Sequence, residues 1–532
     1  MTHDFVPENT KVVSEKKELD DLVCALGENR LPLRKSCMEG TRTTILQEID
    51  NEIKNVDGPN MIWIRGSPGV GKSALAASIA NWLVDQNRHV ITFRFDRTQS
   101  TTITTNALWR AVACDLARLY PFLRKHIAQG NQGHGSSDID RLFKSLIEVP
   151  LSALDDVIPR EELPVIVIDA LDECGGLRHD SFGKDDYKGL LHTLKRWIQV
   201  DHLKRFKLVV TSRPEDHITQ AFPESISIHI VIPSGSDVRL GDNASEDIRL
   251  FLKSCLKNMG MNVALINKAL DYLVPRAAGI FIWATTIADF LELDPESRFA
   301  MLEKGDGNSL ESLYSLYSTI VKASFGHDLE KEEIAAVASV MGAMIFAKKP
   351  LDDNVLIMLP QVRIPDSDAN RLGLIRKGFA SVIDSGPILH FHHHSFEDFL
   401  LSTSFVQELP EFSVVQDRGH HERQLAVLCL KTLVSPKLHF NMGNLESSTI
   451  RNVDIDVKSA ISPLISYSSL FWADHLLQTP LEEKLMEAVK FVVYEKLLFW
   501  LEVMSLTGNV HEAYLIMKRA LAWKVRLQVI YL

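Results

Sequence analysis

Apolar residues fall into short runs in the first half of the chain. The runs lie at 61–64, 90–95, 165–168, 208–211 and 226–232, and β-formers dominate each one. Between them, apolar positions recur at helical spacing. Ile45, Leu46, Ile49 and Ile53 mark a helix over 41–56, and Leu75, Ile79 and Leu83 another over 74–84. Further helical stretches lie at 107–120 and 139–147. Strands alternating with helices predict an α/β domain with a five-stranded, mostly parallel sheet and helices on both faces. The run 165–168 is continuously apolar, as a central strand covered on both faces must be. Residues 129–137, QGNQGHGSS, read as a surface loop.

The pattern changes after Pro233. Residues 234–245 carry turn formers and read as a linker, and Asn243 with Glu246 reads as a capping pair for a helix over 245–259. The rest is mainly helical, with helices expected at 263–273, 276–291, 310–325, 331–346, 423–433, 484–507 and 511–523. Residues 380–391 read as a short hairpin among helices, which points to a winged-helix-like unit at about 331–410. The expected organisation is a loose leader (1–35), a helical lead-in (36–60), the α/β domain (61–233), a helical domain (244–330), the winged-helix-like unit (331–410) and a helical C-terminal region (411–532). No internal repeat of the solenoid kind stands out.

Composition narrows the classes. An apolar content of 45% and a charged content of 24% are those of globular protein. A net charge of −11 over 532 residues disfavours a general nucleic-acid or anionic-membrane role. The 6 cysteines form no C-x-x-C pair, so reduced thiols and a cytoplasmic placement are expected. The N-terminus lacks the apolar core of a signal peptide. The longest apolar stretch, 279–291, is too short to span a bilayer and reads as a buried helix.

The first candidate site follows the first strand. Gly66-Ser67-Pro68-Gly69-Val70-Gly71-Lys72-Ser73 matches G-x-x-x-x-G-K-[ST] between a strand and a helix. Glycines let the backbone wrap an anion, successive N–H groups form a nest, and the following helix adds its positive end. Lys72 would place an ammonium on the β- and γ-phosphates of ATP or GTP, and Ser73 a hydroxyl on Mg2+.

The second is the strand 165–168, which ends in Asp169-Ala170-Leu171-Asp172-Glu173. Asp169 would stand at the carboxyl edge of the sheet, where ligands bind, and could hold the metal. Asp172 and Glu173 follow one turn later. Glu173 is favoured as the base that polarises an attacking water, with Asp172 supporting the metal shell, although spacing alone does not separate them. A third strand, 208–211, runs into Ser212-Arg213-Pro214, and Arg213 can sense a γ-phosphate.

Together these residues resemble the NACHT family of signal-transducing NTPases. GSPGVGKS, VIVIDALDE and VVTSRPE carry the resemblance, with the small Ala170 and the paired acids Asp172 and Glu173 the most discriminating. Flanking segments resemble the fungal, nephrocystin-like branch. They are CMEGTR at 37–42, GIFIW at 279–283, FHHHSFEDFL at 391–400, SLFWADH at 469–475 and LFWLEV at 498–503.

The resemblance implies a Mg2+-dependent regulatory switch that alternates between ATP/ADP or GTP/GDP states, with slow hydrolysis and self-association on activation. It implies that His393, in the winged-helix signature, touches a phosphate of the bound diphosphate. Gly279-Ile280-Phe281 stands where many relatives carry G-x-P, so the choice of base stays open. Set against relatives that carry an effector domain and a repeat sensor, the brevity of the chain outside the matched segments reads as either a short form lacking both or a truncated sequence. A constitutive ATPase and a binding scaffold with little hydrolysis are the rival readings. Zinc at the triple histidine is disfavoured, because adjacent residues on one helix point in different directions.

Overall fold

The computed structural model describes residues 32–97, 103–131, 138–154, 158–174, 181–232, 244–304, 312–325, 329–360, 362–364, 371–383, 386–445 and 457–525. Most of the expected leader, the Asn243 cap, most of the linker, loop residues 132–137 and the hairpin tip at 384–385 lie outside them. The chain divides into two compact units, Met1–Leu302 and Glu303–Leu532.

The first unit is built on a five-stranded parallel sheet in the order β2-β3-β4-β1-β5. The strands are β1 (Met61–Arg65), β2 (Val90–Arg94), β3 (Val165–Asp169), β4 (Leu208–Ser212) and β5 (Ile228–Val231). All five expected runs are strands. β3 and β4 are buried at every position, whereas the edge strands β2 and β5 are partly exposed. That contrast is why β3 reads as an unbroken apolar run.

Successive side chains on a strand point to opposite faces. Ile62 and Ile64 of β1 and Val165 and Val167 of β3 join one core with Ile45 and Ile49 of α1 (Thr43–Lys54) and Leu75, Ile79 and Leu83 of α2 (Lys72–Asp85). Met61, Trp63, Ile166 and Ile168 join the other core, with Leu108 and Trp109 of α3 (Thr105–Leu119) and Leu194 and Trp197 of α4 (Ser181–Gln199). Trp109 stacks on Trp197 at 5.9 Å and donates its indole N–H to Thr193 at 2.9 Å. Each such core leucine is worth about 2–5 kcal/mol on truncation to alanine.

Two expectations change here. Residues 129–131 are not loop but the end of a helix, Arg124–Asn131. Gly130 lies so close to the Ser145 carbonyl that a Cβ would come within 2.3 Å of it, so this glycine serves close packing rather than a turn. The expected helix 276–291 is divided between α6 (Val263–Ala277) and α7 (Phe281–Glu292), which follow α5 (Ala244–Asn258). Ala278 and Gly279 both have positive φ, 46° and 77°, and two left-handed residues end a right-handed helix.

The second unit is helical. It contains α8 (Leu313–Phe325), α9 (Lys331–Phe346), α10 (Arg418–Val434), α11 (Pro463–Leu476), α12 (Glu483–Glu495), α13 (Leu497–Leu506) and α14 (Ala513–Val525), among shorter helices. The stretch expected as one helix over 484–507 breaks at Lys496 (φ −119°, ψ 1°), whose ammonium turns to the Leu438 carbonyl at 2.8 Å. Ile383 and Phe391 form an antiparallel bridge within the expected hairpin.

A closed polar network lies inside this unit. His475 Nδ1 meets Glu422 at 2.5 Å and its Nε2 meets the Tyr467 hydroxyl at 2.8 Å. Lys348 donates its ammonium to Glu422 at 2.9 Å and its backbone N–H to Tyr467 at 3.2 Å. Ionised Glu422 can only accept, so Nδ1 carries the imidazole proton, and the Nε2 of the neutral ring then accepts from the Tyr467 hydroxyl. Burial pushes His475 below its ordinary value, against the pull of Glu422. Burial raises Glu422, but the bond to His475 and the Lys348 charge more than offset it and hold the carboxyl below its usual range.

Candidate functional site

β1 delivers the chain to Gly66, and α2 begins at Lys72. Gly71, the residue before the helix, sits at φ 99°, a conformation that a side chain would strain. Helix α2 therefore starts at the loop, with its positive end towards the site. The Lys72 ammonium folds back on the carbonyls of Gly66 at 2.8 Å and Ser67 at 3.0 Å. Burial lowers its pKa, while the charges of Asp172, Asp169 and Glu173 raise it and Arg213 lowers it further. Lys72, all three acids and Arg213 thus share one electrostatic site.

Strand β4 lies between the loop strand β1 and the acidic strand β3. Thr211 of β4 donates its hydroxyl to Asp169 Oδ1 at 2.6 Å and accepts the Ala170 N–H at 3.0 Å. Ala170 has φ 58°, a strained left-handed turn that carries the chain into the short 3-10 turn Leu171–Glu173. Asp169 is fully buried, which raises its pKa; the Thr211 bond, Arg94 and Ser73 act in the opposite direction. Its Oδ2 takes no hydrogen bond among the described residues. A buried, unsatisfied carboxylate oxygen near a serine hydroxyl fits a hard divalent cation such as Mg2+.

Asp172 is committed elsewhere. It accepts the Arg213 backbone N–H at 3.0 Å and pairs with the guanidinium at 3.3 Å. The Ser212 hydroxyl accepts the Trp63 indole N–H at 2.7 Å, which ties the end of β4 to β1. Thr211 and Arg94 escaped sequence reading. Arg94 ends β2 in register with Asp169, so a charge closing an apolar run was the available signal.

His393 belongs to the second unit. It caps the helix His394–Leu400, and its Nδ1 accepts the Ser395 N–H at 3.0 Å. In the neutral ring, that bond puts the proton on Nε2.

A glycine-rich loop after β1, a buried acid ending β3 and an arginine following β4, the strand between them, make the arrangement of a P-loop NTPase domain. Residues 40–213 match the model of the family described as Nephrocystin 3, N-terminal. The chain is 24% identical over 480 residues to the vegetative incompatibility protein HET-E-1 of Podospora anserina, which covers 85% of this chain and 33% of that one. The chain thus spans about a third of that relative's length. Among solved structures it is similar to a signal transduction ATPase with numerous domains and a tetratricopeptide repeat sensor from Pyrococcus horikoshii. That match has TM-score 0.39 and 15% identity, over 94% of this chain and 66% of that one. A Walker-type ATPase of Pyrococcus abyssi matches at TM-score 0.30 and 12% identity, over 69% and 98%. Over residues 40–213 the chain is similar to the nephrocystin 3 N-terminal family, and with the likeness to HET-E-1 this supports a NACHT-like P-loop NTPase fold for that domain. No helix among the described residues is long and apolar enough to cross a membrane.

Proposed function

We propose that this chain is a Mg2+-dependent nucleotide switch in cytoplasmic signalling, in which ATP or GTP and their diphosphates set two states. The carrying observation is the Asp172–Arg213 pair. Arg213 is already held by an internal carboxylate, at 3.3 Å, beside the phosphate loop. A γ-phosphate would compete for that guanidinium, so triphosphate and diphosphate would leave it with different partners. Differential contact of this kind is what a ligand needs to shift an equilibrium between states.

In this reading the N–H groups and Lys72 hold the phosphates, and Ser73 and Asp169 hold Mg2+. The ion, when bound, would neutralise charge on the β- and γ-phosphates. Glu173 takes a proton from the attacking water, while Asp172 orients Arg213. Hydrolysis is slow and resets the switch. His393 is assigned to a phosphate oxygen of the diphosphate state. Self-association follows exchange for triphosphate. HET-E-1 is named for vegetative incompatibility, and a role in fungal non-self recognition is the biological setting that this likeness favours.

Light scattering after size exclusion tests the switch. The diphosphate form should elute as the smaller species, and a non-hydrolysable triphosphate should shift it to a larger one. The same mass in both states, with rapid steady-state phosphate release, would establish a constitutive ATPase instead.

A further inference from the structure

We propose that Arg42 is a positioning residue of the phosphate loop, holding two of its peptide planes and tying them to the helices that follow the sheet. This rests on the nucleotide-binding reading above and adds a residue that the site itself does not contain.

Arg42 precedes α1 and is 2% exposed, with φ 57°. An arginine is rarely buried unless its charge is partnered. Its Nη2 donates to the Val70 carbonyl at 2.9 Å, inside the phosphate loop. Its guanidinium lies 4.8 Å over the Phe281 ring, in the first turn of α7. Its backbone N–H donates to Asp247 of α5 at 3.1 Å, and the same carboxylate lies 3.9 Å from Nε. One side chain therefore reaches the loop, α5 and α7.

The loop has a second outside donor. The Ile282 N–H of α7 reaches the Gly69 carbonyl at 2.9 Å. The Ile282 side chain fills the space at Gly69, where an added Cβ would meet it at 2.1 Å. In a trans peptide, the carbonyl of one residue and the N–H of the next point in opposite directions. Holding the Gly69 and Val70 carbonyls from outside therefore turns the N–H groups of Val70 and Gly71 away from those donors, towards the concave side of the loop. Those N–H groups belong to the nest that grips phosphate. Arg42 and α7 thus preset the nest. By linkage, a nucleotide that tightens the nest also tightens the hold on α5 and α7.

The test uses the full chain with Mg2+ and fluorescent ADP and GDP analogues. It follows nucleotide affinity, the thermal midpoint and amide exchange over 280–284. Arg42→Gln should weaken nucleotide binding roughly tenfold or more, since it breaks a buried charged hydrogen bond. Arg42→Lys should not rescue, because an ammonium cannot span the carbonyl, the carboxylate and the ring together. Nucleotide should slow exchange over 280–284 in the unaltered chain and not in Arg42→Gln. A purely structural residue would lower the midpoint yet leave the affinity of the folded fraction and the exchange response intact, and that result overturns the proposal. Should Arg42→Gln fail to fold, Asp247→Asn carries the test: affinity several-fold weaker supports the proposal and unchanged affinity overturns it. Loss of all binding in the unaltered chain would remove the nucleotide reading itself, and the proposal with it.

Discussion

Thr211 donates its hydroxyl proton to Asp169 Oδ1 at 2.6 Å, from one strand to the next. The bond occupies one carboxylate oxygen and leaves Oδ2 buried without a hydrogen bond among the described residues. An outer-shell donor of this kind orients a metal ligand, and its loss typically costs 10–100-fold in metal affinity. Thr211→Val keeps the shape and removes the donor. The Mg2+ concentration for half-maximal triphosphate binding should rise by roughly tenfold or more, with little change in metal-free diphosphate binding. A titration in which both stay the same would show that Thr211 serves the strand alone.

Asp172 and Arg213 form the next pair. Asp172→Ala removes both the N–H acceptor at 3.0 Å and the ion-pair partner at 3.3 Å. Arg213 then loses the carboxylate that aims it. Discrimination between triphosphate and diphosphate should shrink, while binding of the diphosphate persists. Parallel affinity measurements for the two nucleotides decide the matter, and an unchanged ratio would show that the Asp172–Arg213 pair takes no part in reading the γ-phosphate.

Glu173 separates binding from chemistry. Glu173→Gln keeps the volume and loses the base. Single-turnover hydrolysis should fall by about 10²–10⁴-fold with triphosphate still bound. If instead Asp172→Asn abolishes turnover and Glu173→Gln does not, the two acids exchange roles.

Much of the first unit could be read from the chain because its signals are local. β3 is buried at all of its positions, so its run is uninterrupted, and the phosphate loop is contiguous. The relationships that complete the site are not local. Thr211 meets Asp169 across 42 positions, and Arg42 meets Val70 across 28. Nothing at either end of these pairs announces its partner. Gly130 misled for a related reason: the composition around it is that of a loop, whereas the contact that explains it is with the Ser145 carbonyl. The division between α6 and α7 turned on Ala278, a good helix former held at φ 46° by its surroundings.

The polar network of the second unit predicts a pH response. Neutral His475 and ionised Glu422 each bind fewer protons when folded than when unfolded, so acid favours the unfolded chain. Stability should be fully present above the ordinary histidine value of 6.5, begin to fall as the pH drops through it, and fall further below the ordinary glutamate value of 4.5. Urea midpoints across that range should show the slope for the full chain and a shallower one for His475→Gln. Equal slopes would place the acid sensitivity elsewhere.

The central claim is that the loop from Gly66 to Ser73 grips a polyphosphate through Lys72. Equilibrium binding of fluorescent ATP, GTP, ADP and GDP analogues, with and without Mg2+, measures it directly on the intact chain and on Lys72→Ala. The account predicts saturable binding of at least one base series, lost or greatly weakened in Lys72→Ala at unchanged thermal midpoint. Binding that is absent from the intact chain, or indifferent to the loss of Lys72, contradicts it.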